Sequence, residues 1–185
     1  MNIVVLVKQV PDTWAERKLK DADGTLDRAS VDGLINELDE YAIEEGLQIA
    51  EAQRGAGADA EVTILTMGPE KAAESIRKAL SMGADKAVHL LDDGLAGSDA
   101  LSTSYAISKV LEQTGFDLVI CGSESTDARS SVPSASLSLR SAQVSGTCLT
   151  NTTMFIGSTD LPVRWHTACQ TARRPRAPGP RAQCY

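Results

Sequence analysis

The six residues after the apolar run 117–121, Gly122-Ser123-Glu124-Ser125-Thr126-Asp127, are this chain's best provision for chemistry. Glycine lets backbone N–H groups come close to a ligand, and two serines and a threonine add further donors. A helix beginning just beyond would turn its positive end toward a phosphate. The segment holds no Lys or Arg, so backbone dipoles are expected to carry any phosphate. An ordinary polar turn between a strand and a helix has the same composition, and on the residues alone both readings stand. Other candidates offer less. His89 sits inside an apolar run and predicts a packed histidine, and Cys121 predicts a small buried apolar residue. Asp92-Asp93 and Glu44-Glu45 are adjacent carboxylates whose side chains point apart, which predicts solvated surface. The four Cys show no C-x-x-C spacing and the two His lie far apart, so neither a zinc site nor a disulfide framework is expected. Walker and G-x-G-x-x-G loops are absent. No nucleophile is paired with a base, and the residues predict binding rather than bond-making.

The elements that must position this loop alternate. Residues 3–8 (IVVLVK), 60–67 (AEVTILTM), 86–91 (KAVHLL) and 117–121 (DLVIC) are short runs of strand formers. Asn36 is expected to cap a first helix reaching about Gln53, with Glu37, Asp39 and Glu40 at its positive end. Pro69 opens a second helix that closes at Gly83, and Asp99 caps a third that runs to Thr114. Residues 9–30 are polar and turn-rich, with room for a small ribbon. The βαβαβαβ alternation predicts a right-handed, doubly wound parallel sheet, for which 3-2-1-4 is the common order. In that order the carboxyl ends of the first and fourth strands flank the crevice where such sheets bind ligands. Residues 6–9 and 122–127 would line it.

Charge divides the chain. Residues 1–127 hold 24 of the 25 acids against 11 of the 18 Lys+Arg, a net of −13. Residues 128–185 hold one acid and seven Arg, a net of +6, with no Lys or Glu, three of the four Cys and five of the seven Pro. A body this acidic repels nucleic acid and anionic membranes. No stretch approaches the roughly 18 apolar residues of a membrane span. Nor is there a basic, cleavable leader, so the expectation is a cytoplasmic protein without membrane insertion.

The body resembles the beta subunit of electron transfer flavoproteins. The resemblance rests on Ile3-Val4-Val5-Leu6-Val7-Lys8-Gln9-Val10-Pro11-Asp12-Thr13, on the helix start Asn36-Glu37-Leu38-Asp39-Glu40-Tyr41-Ala42-Ile43-Glu44-Glu45, and on Met67-Gly68-Pro69. It continues through Arg77-Lys78-Ala79-Leu80-Ser81-Met82-Gly83-Ala84-Asp85 and Asp117-Leu118-Val119-Ile120-Cys121-Gly122, ending at Thr126-Asp127. It implies a Rossmann-like sheet of the adenine nucleotide alpha hydrolase-like topology, with its C-terminal part incomplete. It also implies a structural AMP, held by Leu6, Asn36, Glu37, Leu38, Asp39 and Met67 together with Gly122, Ser123, Glu124, Ser125, Thr126 and Asp127. In that family an alpha subunit holds most of the FAD, and the heterodimer carries electrons from acyl-CoA and other dehydrogenases toward a quinone oxidoreductase. The beta chain is then an electron-carrier subunit rather than an enzyme. A second class of function is a stand-alone adenine-nucleotide-binding protein of the universal-stress type. Its Gly-rich ATP signature is absent, and the blocks 8–13 and 77–85 favour the first reading. The Ser-Gly-Gly signature of the related pyrophosphatases is absent too.

Past Asp127 the resemblance decays, and residues 128–185 are expected to be an aberrant, largely irregular tail. Their composition is what out-of-frame GC-rich coding sequence produces; a divergent natural extension is the alternative. Ser134-Ala135-Ser136-Leu137-Ser138-Leu139-Arg140 and Met154-Phe155-Ile156 have the pattern of short strands, and residues 173–181 are Pro-rich and basic. If the tail supplies no strand, the fourth strand is left as an unprotected edge. The helix that should complete the phosphate cradle also falls past Asp127, so weak AMP retention is expected.

Overall fold

The computed structural model describes residues 1–16 and 18–127, and the backbone of two strands at 144–149 and 152–157. Four parallel strands form its centre: β1 (Asn2–Leu6), β4 (Glu61–Met67), β5 (Lys86–Leu90) and β6 (Leu118–Gly122). Their order is β5-β4-β1-β6, the 3-2-1-4 arrangement expected from the alternation. β1 is the pivot, pairing in parallel with β4 (Leu6 opposite Leu65) and with β6 (Leu6 opposite Cys121). Two short strands, β2 (Gln9–Pro11) and β3 (Gly33–Ile35), make a separate antiparallel ribbon above the carboxyl ends. Within the stretch 9–30, where a ribbon was expected, Leu19 and Leu26 form an isolated antiparallel bridge, and the second arm of the β2–β3 ribbon lies just beyond that stretch.

The central strands β1 and β6 are apolar and buried on both faces because helices cover both. α1 (Glu37–Gly55) and α2 (Ala73–Ser81) pack on one side, where Ile3, Val5, Ile43, Ile64, Ala79 and Ile120 form the larger core. α3 (Ala100–Thr114) covers the other, packing Leu111 against Val4, Leu6, Leu65 and Val119. Alternate residues of β1 therefore serve opposite cores, as a period of two requires. Gly46 lets α1 lie close on the sheet: a Cβ there would stand 3.0 Å from Val5 Cγ2.

The predicted boundaries hold to within a few residues. Pro69 leads into a single 3-10 turn (Glu70–Ala72) before α2 begins, so the second helix starts later than its proline suggests. Asp99 caps α3 as expected, accepting a hydrogen bond from Ser102 N–H at 2.7 Å. Gly115 ends it at φ +70°, a conformation that favours glycine. Cys121 is buried as expected. His89 corrects its reading: it is half-buried rather than packed in the core, and its Nε2 donates to the Gly68 carbonyl at 3.0 Å. β5 is the outermost strand on its side of the sheet, so its side chains meet fewer neighbours.

The fourth strand is not an open edge. β8 (Thr152–Gly157) pairs antiparallel with β6, from Leu118 opposite Ile156 to Gly122 opposite Thr152, and β7 (Val144–Leu149) pairs with β8. Backbone pairing needs only an extended segment of strand-forming residues, and TTMFI supplies one. The expected strand at 134–140 and the basic arm at 173–181 lie outside the described residues.

Candidate functional site

The site is built where β1 and β6 end beside the start of α1. Asn36 is almost fully buried at the N-cap position, yet its side chain makes no cap bond, correcting the role expected of it. Its amide instead faces the loop after β6. Asn36 Nδ2 donates to the Glu124 carbonyl at 3.1 Å, and Asn36 Oδ1 accepts from Thr126 N–H at 3.2 Å. Nδ2 also donates to Asp39 Oδ1 at 3.0 Å, and Asn36 N–H donates to the Lys8 carbonyl at 2.9 Å. One amide side chain thus reads both donor and acceptor of the loop backbone while holding a carboxylate behind it.

Asp39 is the second fastener. Its Oδ2 accepts from Lys8 N–H at 2.7 Å, at the end of β1, and its Oδ1 from Gly122 N–H at 3.3 Å, at the end of β6. Burial pushes this carboxyl up to about 6, against the pull of its three donors and the Lys8 charge. Gly122 permits the approach: a Cβ there would fall 2.4 Å from Asp39 Oδ1 and 3.0 Å from the backbone of Leu38.

Two cations arrive from elsewhere in the chain. Lys8 Nζ lies 2.9 Å from Asp127 Oδ1 and donates to Ser125 Oγ at 3.2 Å. Arg28 Nη1, from the long segment between the ribbon strands, lies 2.5 Å from Asp127 Oδ2. Burial alone would raise the Asp127 carboxyl, but hydrogen bonds from Lys8 and Arg28 outweigh it and hold the group down to about 2. Lys8 lies just past β1 in the stretch expected to line the crevice, and that position was the signal available for its role. Arg28 had none.

Of the predicted residues, the structure joins Asn36, Asp39, Gly122, Glu124, Ser125, Thr126 and Asp127 in one network. Leu6 is the buried end of β1, next to Cys121 on β6. Leu38 lies against Gly122, and Ser123 is half-buried in the loop. Glu37 is exposed and shares a small crevice of about 20 Å³ with Val10, Pro11, Ile35 and Thr126. Met67 ends β4 opposite Leu90 and has no hydrogen bond to the loop among the described contacts. Thr126 Oγ1 is a buried hydroxyl without a hydrogen-bond partner among the described residues. A larger hollow of about 510 Å³ lies along α1, but Glu37, Glu40, Tyr41 and Glu44 line it, an acidic wall that repels phosphate. No group of metal-ligating side chains occurs among the described residues.

A parallel sheet with helices on both faces, and a polar loop at its switch point, defines the class of doubly wound α/β domains that hold a ligand outside the strand ends. Within that class the chain belongs to the electron transfer flavoprotein domain family, whose pattern matches residues 23–148. Electron transfer flavoprotein subunit beta of Mycobacterium tuberculosis is 59% identical over 127 residues, covering 68% of this chain and 48% of the relative. The Mycobacterium leprae subunit matches at the same identity and coverage. That of Thermoanaerobacterium thermosaccharolyticum is 42% identical over 127 residues, 69% of this chain and 46% of its own length. The chain therefore spans about half the length of the curated relatives it matches.

Proposed function

We propose that this chain forms the nucleotide-holding part of an electron transfer flavoprotein beta subunit and takes a structural AMP at the junction of β1, α1 and β6. The observation that carries the reading is the Asn36 side chain, which fixes the 122–127 loop against the start of α1 through Glu124 and Thr126. The polar lining suits a mononucleotide. Ser125, Lys8 and Arg28 offer hydroxyl and cationic partners for a phosphate, and the unpartnered Thr126 Oγ1 is a buried polar atom for which a ligand group would serve. The crevice beside it is no larger than a single water needs, so an adenine requires the β2–β3 ribbon to move outward.

In this reading the chain's residues orient and support, while FAD, held mainly by an alpha subunit, supplies the redox chemistry when bound. The heterodimer would pass electrons from acyl-CoA and other dehydrogenases to a quinone oxidoreductase, as a carrier and not an enzyme. No helix among the described residues is long and apolar enough to cross a membrane, which fits the cytoplasmic location we propose. The family pattern reaches residue 148, while the alignments to the mycobacterial relatives span only 127 residues, and we read the sequence past Asp127 as the product of a frame change. Resequencing the gene tests this, since another frame must then encode the missing family blocks.

Co-expression with an electron transfer flavoprotein alpha subunit tests the function. A yellow complex of the two chains supports the reading. A colourless homodimer that binds ATP transfers the chain to the universal-stress class. AMP retention by the isolated chain is expected to be weak, visible in a millimolar titration and absent after gel filtration.

A further inference from the structure

We propose that Asp127 acts as a charge filter on the nucleotide site, setting its preference for a ligand with one phosphate over a ligand with three. The inference rests on the AMP reading above and adds to it the residue that decides phosphate number. Asp127 is the acidic end of the loop, and its side chain, closed off from solvent, pairs with both cations. Those cations are themselves open, with the Lys8 side chain 40% exposed and Arg28 49% exposed. A phosphate at the loop therefore meets Lys8 and Arg28 with their charge already partly neutralised from behind. One further carboxylate lies in the same network, Asp39, buried behind the loop. Two positive and two negative groups leave the network at a net charge of zero, and the exposed side chains of Glu124 on the loop and Glu37 beside Thr126 make its surroundings negative.

A triphosphate carries roughly twice the charge of a monophosphate, so each unit of local charge weighs about twice as heavily on it. Backbone donors and hydroxyls of the loop hold one phosphate without needing a net positive field. A second and third phosphate would have to be placed against a negative one. Asp127 contributes a full unit of that field from directly behind the two cations that would otherwise offset it. A hydroxyl or amide at this position could still accept from Lys8 and Arg28 but would not cancel their charge.

The test is a calorimetric or phosphorus-NMR titration of the full-length chain with AMP and with ATP, in EDTA at fixed ionic strength. The wild-type chain is expected to prefer AMP. Asp127→Asn raises the local sum by one unit and is expected to improve ATP binding relative to AMP by about tenfold or more. Arg28→Gln, which lowers the sum, moves the ratio the other way. The double variant restores the wild-type sum and is expected to return the ratio to within about threefold of wild type. Circular dichroism reports folding of each variant, and if Asp127→Asn does not fold, Arg28→Gln carries the test alone. AMP binding with the same ATP-to-AMP ratio in the folded variants overturns the filter and leaves the AMP site standing. No AMP binding by the wild-type chain at about 10 mM overturns the site itself, and the filter with it.

Discussion

Asn36 and Asp39 stand three residues apart on the first turn of one helix, and each is buried for a reason that lies elsewhere in the chain. Removing the Asn36 amide leaves the Thr126 N–H without its acceptor and the Asp39 carboxylate with one donor fewer. Asn36→Ala is therefore expected to cost about 2–3 kcal/mol in urea unfolding, the range for losing several buried hydrogen bonds at once. Asp39 gives a pH signature. Its carboxyl is raised by burial from 3.8 to about 6, so the folded chain binds that proton more tightly than the unfolded one. The associated stability is fully present below about pH 4 and is lost as pH rises through about 6, on the order of 3 kcal/mol in all. Asp127 works in the opposite sense. Held down to about 2, it contributes stability above about pH 4 that disappears as pH falls toward 2. Unfolding midpoints between pH 4 and 6.5 are expected to fall more steeply in wild type than in Asp39→Asn. Equal slopes would remove Asp39 from this role.

At the scale of elements, the site depends on how closely α1 approaches the end of β6. Gly122 sets that distance, because any Cβ would meet both the Asp39 carboxylate and the Leu38 backbone. Gly122→Ala must push α1 outward and break the Gly122 N–H bond to Asp39, at an expected cost of about 1–3 kcal/mol. A crystal structure of the variant would show the shift; an unmoved helix would refute the argument. Ile43 anchors the same helix farther along. It is completely buried among Ile3, Val5, Ile64 and Ile120, and Ile43→Ala is expected to cost about 3–4 kcal/mol, measured by thermal or urea melts. Both changes act on the loop through helix position rather than through contact with a ligand.

At the scale of the whole molecule, β8 closes the side of the sheet that the sequence left open. The parallel strands run in the order β5-β4-β1-β6, and a bare β6 would present its backbone groups to other chains. Pairing with β8 satisfies that edge through five residue positions. Truncation after residue 143 is accordingly expected to drive self-association, seen as a rise in light scattering at micromolar concentration. A monodisperse truncated chain would mean that β8 is dispensable for protecting the edge.

The sequence by itself determined the order of strands and helices, because each is a local pattern: apolar runs of strand length, acids at a helix start, Gly or Pro at the stops. It also pointed to the candidate site, since the common order 3-2-1-4 makes the carboxyl ends of the first and fourth strands neighbours before any side chain is positioned. Only the tertiary structure decided what the site is made of. Asn36 reaches partners 88 and 90 residues away, and Lys8 meets Asp127 across 119. Such bonds leave no periodicity or spacing to read, because their geometry exists only once the sheet has brought the two ends together. The same reason hid Arg28, which lies in a polar stretch like many others until the ribbon folds back over the loop.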